Sequence, residues 1–339
     1  MKRAFYALVL VLSFALALNS LAREVWIEDD PGIGEEEFLL PMAGGIGWQQ
    51  LMGVNRDYPY YSWVFTPMLL LPIKAIESSV RAYMPISAEL TDRTGTTYKH
   101  EPLLSDFTLR FSIMPEILMI PKTGVMFGYA TNLAFPTSKN SQFQTKQFTW
   151  SNDVIVAKSL WAFDFMYVFR FTKGFHKFTT PELEPSGEVA IPDDVAAAAQ
   201  AQQGLPVLQR SGILSIIGRA NTSYQIMNML GLSYTVTDEL WLEFSFYTVN
   251  GRAYKVSDEK ERGERDSWGS ETALRYTPWE YLNFGIGWAT EVPMLRPDSK
   301  GYYNPLVEAN GLDDFTMIYF KINGTFGDKE VAKSLGALL

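Results

Sequence analysis

Segments in which apolar and polar residues alternate with period two, joined in turn by tight turns and long polar loops, predict an all-β chain. The expected fold is a transmembrane antiparallel up-and-down β-barrel of about twelve strands, with ten as the alternative. A third observation favours the barrel over a secreted sandwich. In residues 275–288, RYTPWEYLNFGIGW, one parity holds Leu282, Phe284, Ile286 and Trp288, and the other holds Tyr281, Asn283, Gly285 and Gly287. The convex, solvated face of a sandwich usually carries Lys, Glu and Thr, whereas small polar residues suit a concave interior. Lipid offers no water to an open sheet edge, so a sheet placed there must close.

The elements follow in chain order. Lys2 and Arg3 precede a run over residues 4–18 that is apolar except for Ser13, and Asn19-Ser20-Leu21-Ala22 places small residues where a signal peptidase reads. This predicts a secretory signal peptide over residues 1–22, cut after Ala22. Residues 23–37, REVWIEDDPGIGEEE, read as an acidic periplasmic lead-in, and the barrel is expected over residues 38–326. After the signal no run approaches the length of a spanning helix; residues 64–73 are too short and carry Pro67 and Pro72.

A weak strand over residues 40–51, LPMAGGIGWQQL, makes the strand number even. Clear strands are expected over residues 106–117, 125–135, 163–172, 240–250 and 316–326. In residues 240–250, Leu240, Leu242, Phe244 and Phe246 share one face, and Trp241, Glu243, Ser245 and Tyr247 the other. Trp268 and Tyr276 fit interfacial aromatic girdles on the lipid face. Short turns fall at residues 120–123, 237–239 and 277–280, and long loops at 91–104, 139–148, 174–210, 251–265 and 296–312. The loop over 174–210 contains IPDDVAAAAQAQQGLP, which reads as a short helix started at Pro192 and stopped by Gly204 and Pro206. It is expected to act as a lid or plug, or to stand as a solvated external loop. Residues 327–339 form a periplasmic tail.

The chain has no Cys and two His among 339 residues, which excludes disulfides and thiolate metal sites. Its formal charge of -9, without a basic stripe, excludes nucleic acid as a partner. No cofactor and no metal site is expected. EDDPG lacks the spacing of a calcium loop, and AGGIG is followed by neither a Lys nor a helix start. His100 and His176 lie in loops without a catalytic spacing, so no catalytic residue is assigned, although an acid at Asp193 or Asp194 could meet His176 in space. Parity assigns to the interior Arg81, Glu89, Asp106, Arg110, Glu116, Asp164, Arg170, Glu243, Glu271, Arg275, Glu291 and Lys321. Such a set either lines a water-filled passage or pairs off internally. Glu182, Glu184, Glu188, Asp193 and Asp194 make the long loop a candidate acidic constriction, which would give a weak cation preference.

With its signal peptide, its alternation, the RYTPWEYLNFGIGW hairpin and a last strand FTMIYFKINGTF, the sequence resembles Gram-negative outer-membrane β-barrel proteins, porin-like or transporter-like. The resemblance spans residues 38–326 and implies residence in the cell outer membrane. The partners it implies are outer-membrane lipid, lipopolysaccharide and the barrel-assembly machinery. Such barrels end on an aromatic; Phe326 takes that place, but GDKEVAKSLGALL follows it. The expected function is a narrow channel or transporter for small solutes, with no enzymatic activity. The alternative is a structural or surface-binding barrel acting through its external loops, and an outer-membrane hydrolase ranks last.

Overall fold

A closed antiparallel barrel forms wherever the alternation is found. The structure, a computed structural model, describes residues 43–54, 60–73, 78–91, 100–113, 119–180, 220–255, 264–295, 301–307 and 316–327. The segments expected to be signal peptide and lead-in, residues 328–339 of the expected tail and the loop residues 181–219 lie outside the described residues, as does Glu116.

Fourteen strand segments follow in order: β1 (Ala43–Gly53), β2 (Tyr61–Ile73), β3 (Ser78–Tyr83), β4 (Ile86–Glu89), β5 (Leu103–Leu104), β6 (Phe107–Ile113), β7 (Val125–Phe135), β8 (Lys146–Leu160), β9 (Phe163–His176), β10 (Thr222–Thr237), β11 (Leu240–Ala253), β12 (Glu264–Trp279), β13 (Leu282–Pro293) and β14 (Thr316–Gly327). One short helix, α1 (Lys139–Phe143), lies between β7 and β8. Both β3 and β4 pair with β2, and β5 and β6 continue the next position round the sheet, so the segments make twelve barrel strands. Pairing of β1 with both β14 and β2 closes the ring.

The interruption between β3 and β4 has a local cause. It falls opposite Pro67, between the pairs Met68–Tyr83 and Phe65–Ile86. Proline has no N–H for the ladder, so the neighbouring strand breaks there. The Pro67 carbonyl is still used, accepting from the Met84 N–H.

Strand ends fix the two rims. Tight connections follow β8, β10 and β12, whereas α1 and the described parts of the longer loops gather at the other rim. Lys122 (φ 75°) and Gly124 (φ 65°) form the turn before β7, and Trp161 (φ 57°) the turn between β8 and β9. The β12 strand runs on through Trp279 past a register irregularity, so that turn falls later than residues 277–280 suggest. At the loop rim several strands reach further than expected, and α1 occupies what reads in sequence as plain loop. Ser138 caps α1 by accepting from the Ser141 N–H at 3.1 Å.

The faces follow the parity of the sequence. Ile286 is 55% exposed and Trp288 43% on the outer wall, while Asn283, Gly285 and Gly287 are buried on the inner one. No helix of the described residues is long and apolar enough to cross a membrane. Trp268 differs from the girdle expectation. The described loop residues 301–307 fold back over the outer wall at the loop rim, where Tyr302 meets Trp268 at 5.9 Å. Ser270 and Thr290 donate there to the carbonyls of Pro305 and Leu306 at 2.8 and 2.9 Å.

Candidate functional site

The small inner faces of β12 and β13 let large polar side chains from adjacent strands lie flat across the wall. Gly285 stands directly opposite Arg275, and a Cβ there would lie 2.8 Å from Arg275 Nη1. Gly287 stands opposite Tyr319, whose hydroxyl would lie 2.8 Å from such a Cβ. Gly269 stands opposite Tyr247, whose hydroxyl would lie at 2.6 Å. Each glycine is a recess filled by its cross-strand neighbour, an arrangement that also pins register. On the outer wall the same device closes the barrel, with the Phe326 ring lying over Gly44.

Two charge clusters occupy the inner wall. The first centres on Asp153 of β8, whose side chain is 1% exposed. Arg170 of β9 donates to it twice, Nε to Oδ1 at 2.6 Å and Nη2 to Oδ2 at 2.9 Å. Arg110 of β6 donates to Oδ2 at 2.8 Å and to Asn132 Oδ1 at 3.1 Å. Arg81 of β3 stands directly opposite Arg110 in the register, so two arginines hold the carboxylate and a third stands beside one of them.

The second cluster spans β11 to β14. Arg275 Nε donates to Glu243 at 2.9 Å, and its Nη2 lies 3.7 Å from Glu271. Tyr319 donates to Glu271 and Tyr247 to Glu291, while Trp241 Nε1 donates to Glu243 at 2.8 Å. Lys321 stands opposite Gly285 from the other side, within electrostatic reach of Arg275 and both glutamates. Here carboxylates outnumber cations. The basic cluster and this acidic one lie on strands nearly half a turn apart in the ring.

The remaining interior candidates sit apart. Asp164 lies beside the tight turn that opens β9 and accepts from Ser233 at 3.4 Å. Glu89 ends β4 opposite Ser62. Asp106 lies at the loop rim and is committed to α1 and its surroundings, accepting from the Ser138 N–H at 3.1 Å, from both the Ser138 and Ser141 hydroxyls, and from Lys146 at 3.3 Å. It anchors the helix rather than standing free on the wall. Glu182, Glu184, Glu188, Asp193 and Asp194 lie outside the described residues, so the constriction they would form has no structural description.

Sequence reading missed Asp153, Asn132 and Tyr319 as interior polar partners. All three have inner parity, and the hydrogen bond that ties each one in spans more than a dozen residues of chain. His176, expected in a loop, ends β9, and its Nδ1 lies 2.8 Å from the carbonyl of Gln144 at the end of α1. Among the described residues no cluster of His, Asp and Glu has the arrangement of a metal site.

No family model and no characterised protein sequence matches the chain. Among solved structures, an outer membrane channel from Pseudomonas putida F1 superposes with a TM-score of 0.53 at 11% identity, over 88% of this chain and 100% of that one. OmpT of Vibrio cholerae and OmpF of Salmonella typhi each superpose with a TM-score of 0.36 at 7% identity, over 84% of this chain and 97% of theirs. The first likeness bears on the fold; the other two are too loose to carry an argument. The fold is that of outer-membrane β-barrels.

Proposed function

We propose that the protein is a narrow outer-membrane channel for small hydrated solutes, not an enzyme, set among outer-membrane lipid and lipopolysaccharide. The observation that carries this reading is the wetness of the inner charges. A barrel filled for stability alone buries its ion pairs. Here the Glu243, Glu271 and Arg170 side chains remain 38%, 42% and 36% exposed on the inner wall while paired. Exposed charges of opposite sign on facing walls create a field across the passage, which orients dipolar solutes and favours neither ion strongly.

The test is single-channel recording of the full mature chain in planar bilayers. Steady, low conductance is expected. The double variant Glu243→Gln, Glu271→Gln keeps side-chain shape while removing two negative charges, so the reversal potential under a salt gradient should move toward anion preference. A silent wild-type protein, correctly inserted, would refute the channel reading and favour action through the external loops.

A further inference from the structure

The two charge clusters stand at one level of the lumen. Asn132, the register partner of Arg110, lies seven residues past Val125, where β7 begins. Arg170 lies seven past Phe163 in β9, and Tyr247, which donates to Glu291, seven past Leu240 in β11. All three strands begin at the tight-turn rim, so equal counts mean similar depth. Asp164 and Glu89 lie nearer the rims. Uncharged wall separates the clusters on both sides. β10 lies between Arg170 and the acidic strands, and β1 and β2 lie between Arg81 and Lys321. None of these three strands holds an Asp, Glu, Lys or Arg, so no countercharge on them cancels the field between the clusters.

Each side keeps charge that faces water. Asp153 engages Arg170 through Nε and Nη2 and Arg110 through Nη1, which leaves Arg170 Nη1 and Arg110 Nη2 uncommitted among the described residues. Those side chains are 36% and 21% exposed. Arg81 is half-buried, with its Nε sealed in the wall, and forms no hydrogen bond or ion pair among the described residues, so its charge is unmatched. Tyr83 of β3 lies within electrostatic reach of both Arg81 and Arg170, which brings β3 and β9 to one place in the lumen. On the other side the Glu271 side chain is 42% exposed, and Glu291 is exposed too. Each accepts from a tyrosine hydroxyl and retains further accepting capacity.

Three guanidiniums against one carboxylate favour an incoming carboxylate, whose two oxygens match the planar N–H fork. Three carboxylates against Arg275 and Lys321 favour an incoming ammonium. A simple anion or cation gains on one wall and is repelled by the other, whereas a solute carrying both charges gains on both. We infer that the preferred solute is a small zwitterion, an α-amino acid aligned across the passage, with its carboxylate toward Arg81, Arg110 and Arg170 and its ammonium toward Glu271 and Glu291. This assignment rests on the channel reading for its purpose, while binding can be measured without conduction.

The experiment is titration by saturation-transfer NMR on the detergent-solubilised full mature chain. The probes are L-leucine, 4-methylpentanoate, which lacks the amine, and 3-methylbutylamine, which lacks the carboxylate. Leucine should bind about fivefold or more tightly than either, the worth of one partly exposed charge contact. Arg81→Gln should shrink leucine's advantage over 3-methylbutylamine and leave its advantage over 4-methylpentanoate. Glu291→Gln should do the reverse, both in barrels whose heat-modifiable gel mobility shows them folded. A single-charge probe matching leucine on the unaltered protein, or both advantages surviving in both variants, would overturn the assignment. So would absent leucine binding in a protein that conducts, which leaves the channel reading standing. Leucine binding in a protein silent in bilayers would support the site and remove the channel reading instead.

Discussion

The facing assignment makes a depth-dependent claim about charge in the wall. Leu230 of β10 is 60% exposed on the outer face and stands opposite Phe246 and Tyr167. Phe246 lies six residues beyond Leu240, where β11 leaves its tight turn. At ~3.4 Å per residue and a tilt of ~40°, that sets Leu230 about 15 Å above the turn, near the middle of an apolar band ~25 Å tall. Leu242 shares the outer face but lies only two residues from the same end, about 5 Å above it by the same geometry. Leu230→Arg should therefore cost ~2–4 kcal/mol and Leu242→Arg only ~0–1 kcal/mol. The first figure is roughly a 30- to 800-fold change in the unfolding equilibrium. Ser245→Arg, on the inner face beside Glu271, should be nearly neutral. Reversible urea unfolding in phosphatidylcholine liposomes measures all three. Equal costs at Leu230 and Leu242 would refute the depth argument, and a Ser245→Arg cost matching that of Leu230→Arg would refute the facing itself.

Three further outcomes follow, two from the inner wall and one from the turn before β7. Gly287→Ala puts a methyl against the Tyr319 hydroxyl and the Thr272 carbonyl, and should cost ~1–3 kcal/mol in the same unfolding assay. Gly124→Ala, with open space around it but φ at 65°, should cost only the left-handed penalty of ~1–2 kcal/mol. Asp153→Asn removes the countercharge of Arg110 and Arg170. Breaking a buried pair typically costs ~3–5 kcal/mol, but Arg170 remains 36% exposed to the lumen, so about 1–3 kcal/mol is expected, with partial recovery in Asp153→Asn, Arg170→Gln.

What could be read beforehand was what alternation encodes. The parity of 282–288 gave the outer and inner faces of β13, and the short-long rhythm of the connections gave a closed, even-numbered ring. The segment 40–51, weak as a strand because of its glycines, forms β1 from Ala43 onward, and those glycines explain both its weakness and its use. Gly44 receives Phe326 at the seam, where a larger residue would hold the first and last strands apart. Boundaries were harder to read. Loop-forming composition at the mouth does not stop a strand whose neighbours continue the ladder, so β8, β9, β11 and β12 extend into segments that read as loop. The cap at Ser138 was legible in principle, but α1 is one turn long and has no periodicity to find.

The site was legible as a set of charges but not as an arrangement, and the reason lies in register. Parity tells which wall a residue faces; which residue it meets depends on the offset between strands, and that offset is fixed by turn lengths and by recesses such as Gly285. Arg110 and Asp153 are 43 positions apart and Glu271 and Tyr319 are 48 apart, yet each pair touches because intervening hairpins bring the strands into line. A slip of one residue between β12 and β13 would send Arg275 against a side chain instead of Gly285 and turn Leu282, Phe284 and Ile286 inward. The glycines that make the inner wall thin are thus the same residues that fix where its charges stand. In the proposed channel, the passage and its field cannot be separated from the register that builds the barrel. Filling a recess should disturb conduction even where the substituted residue touches no solute.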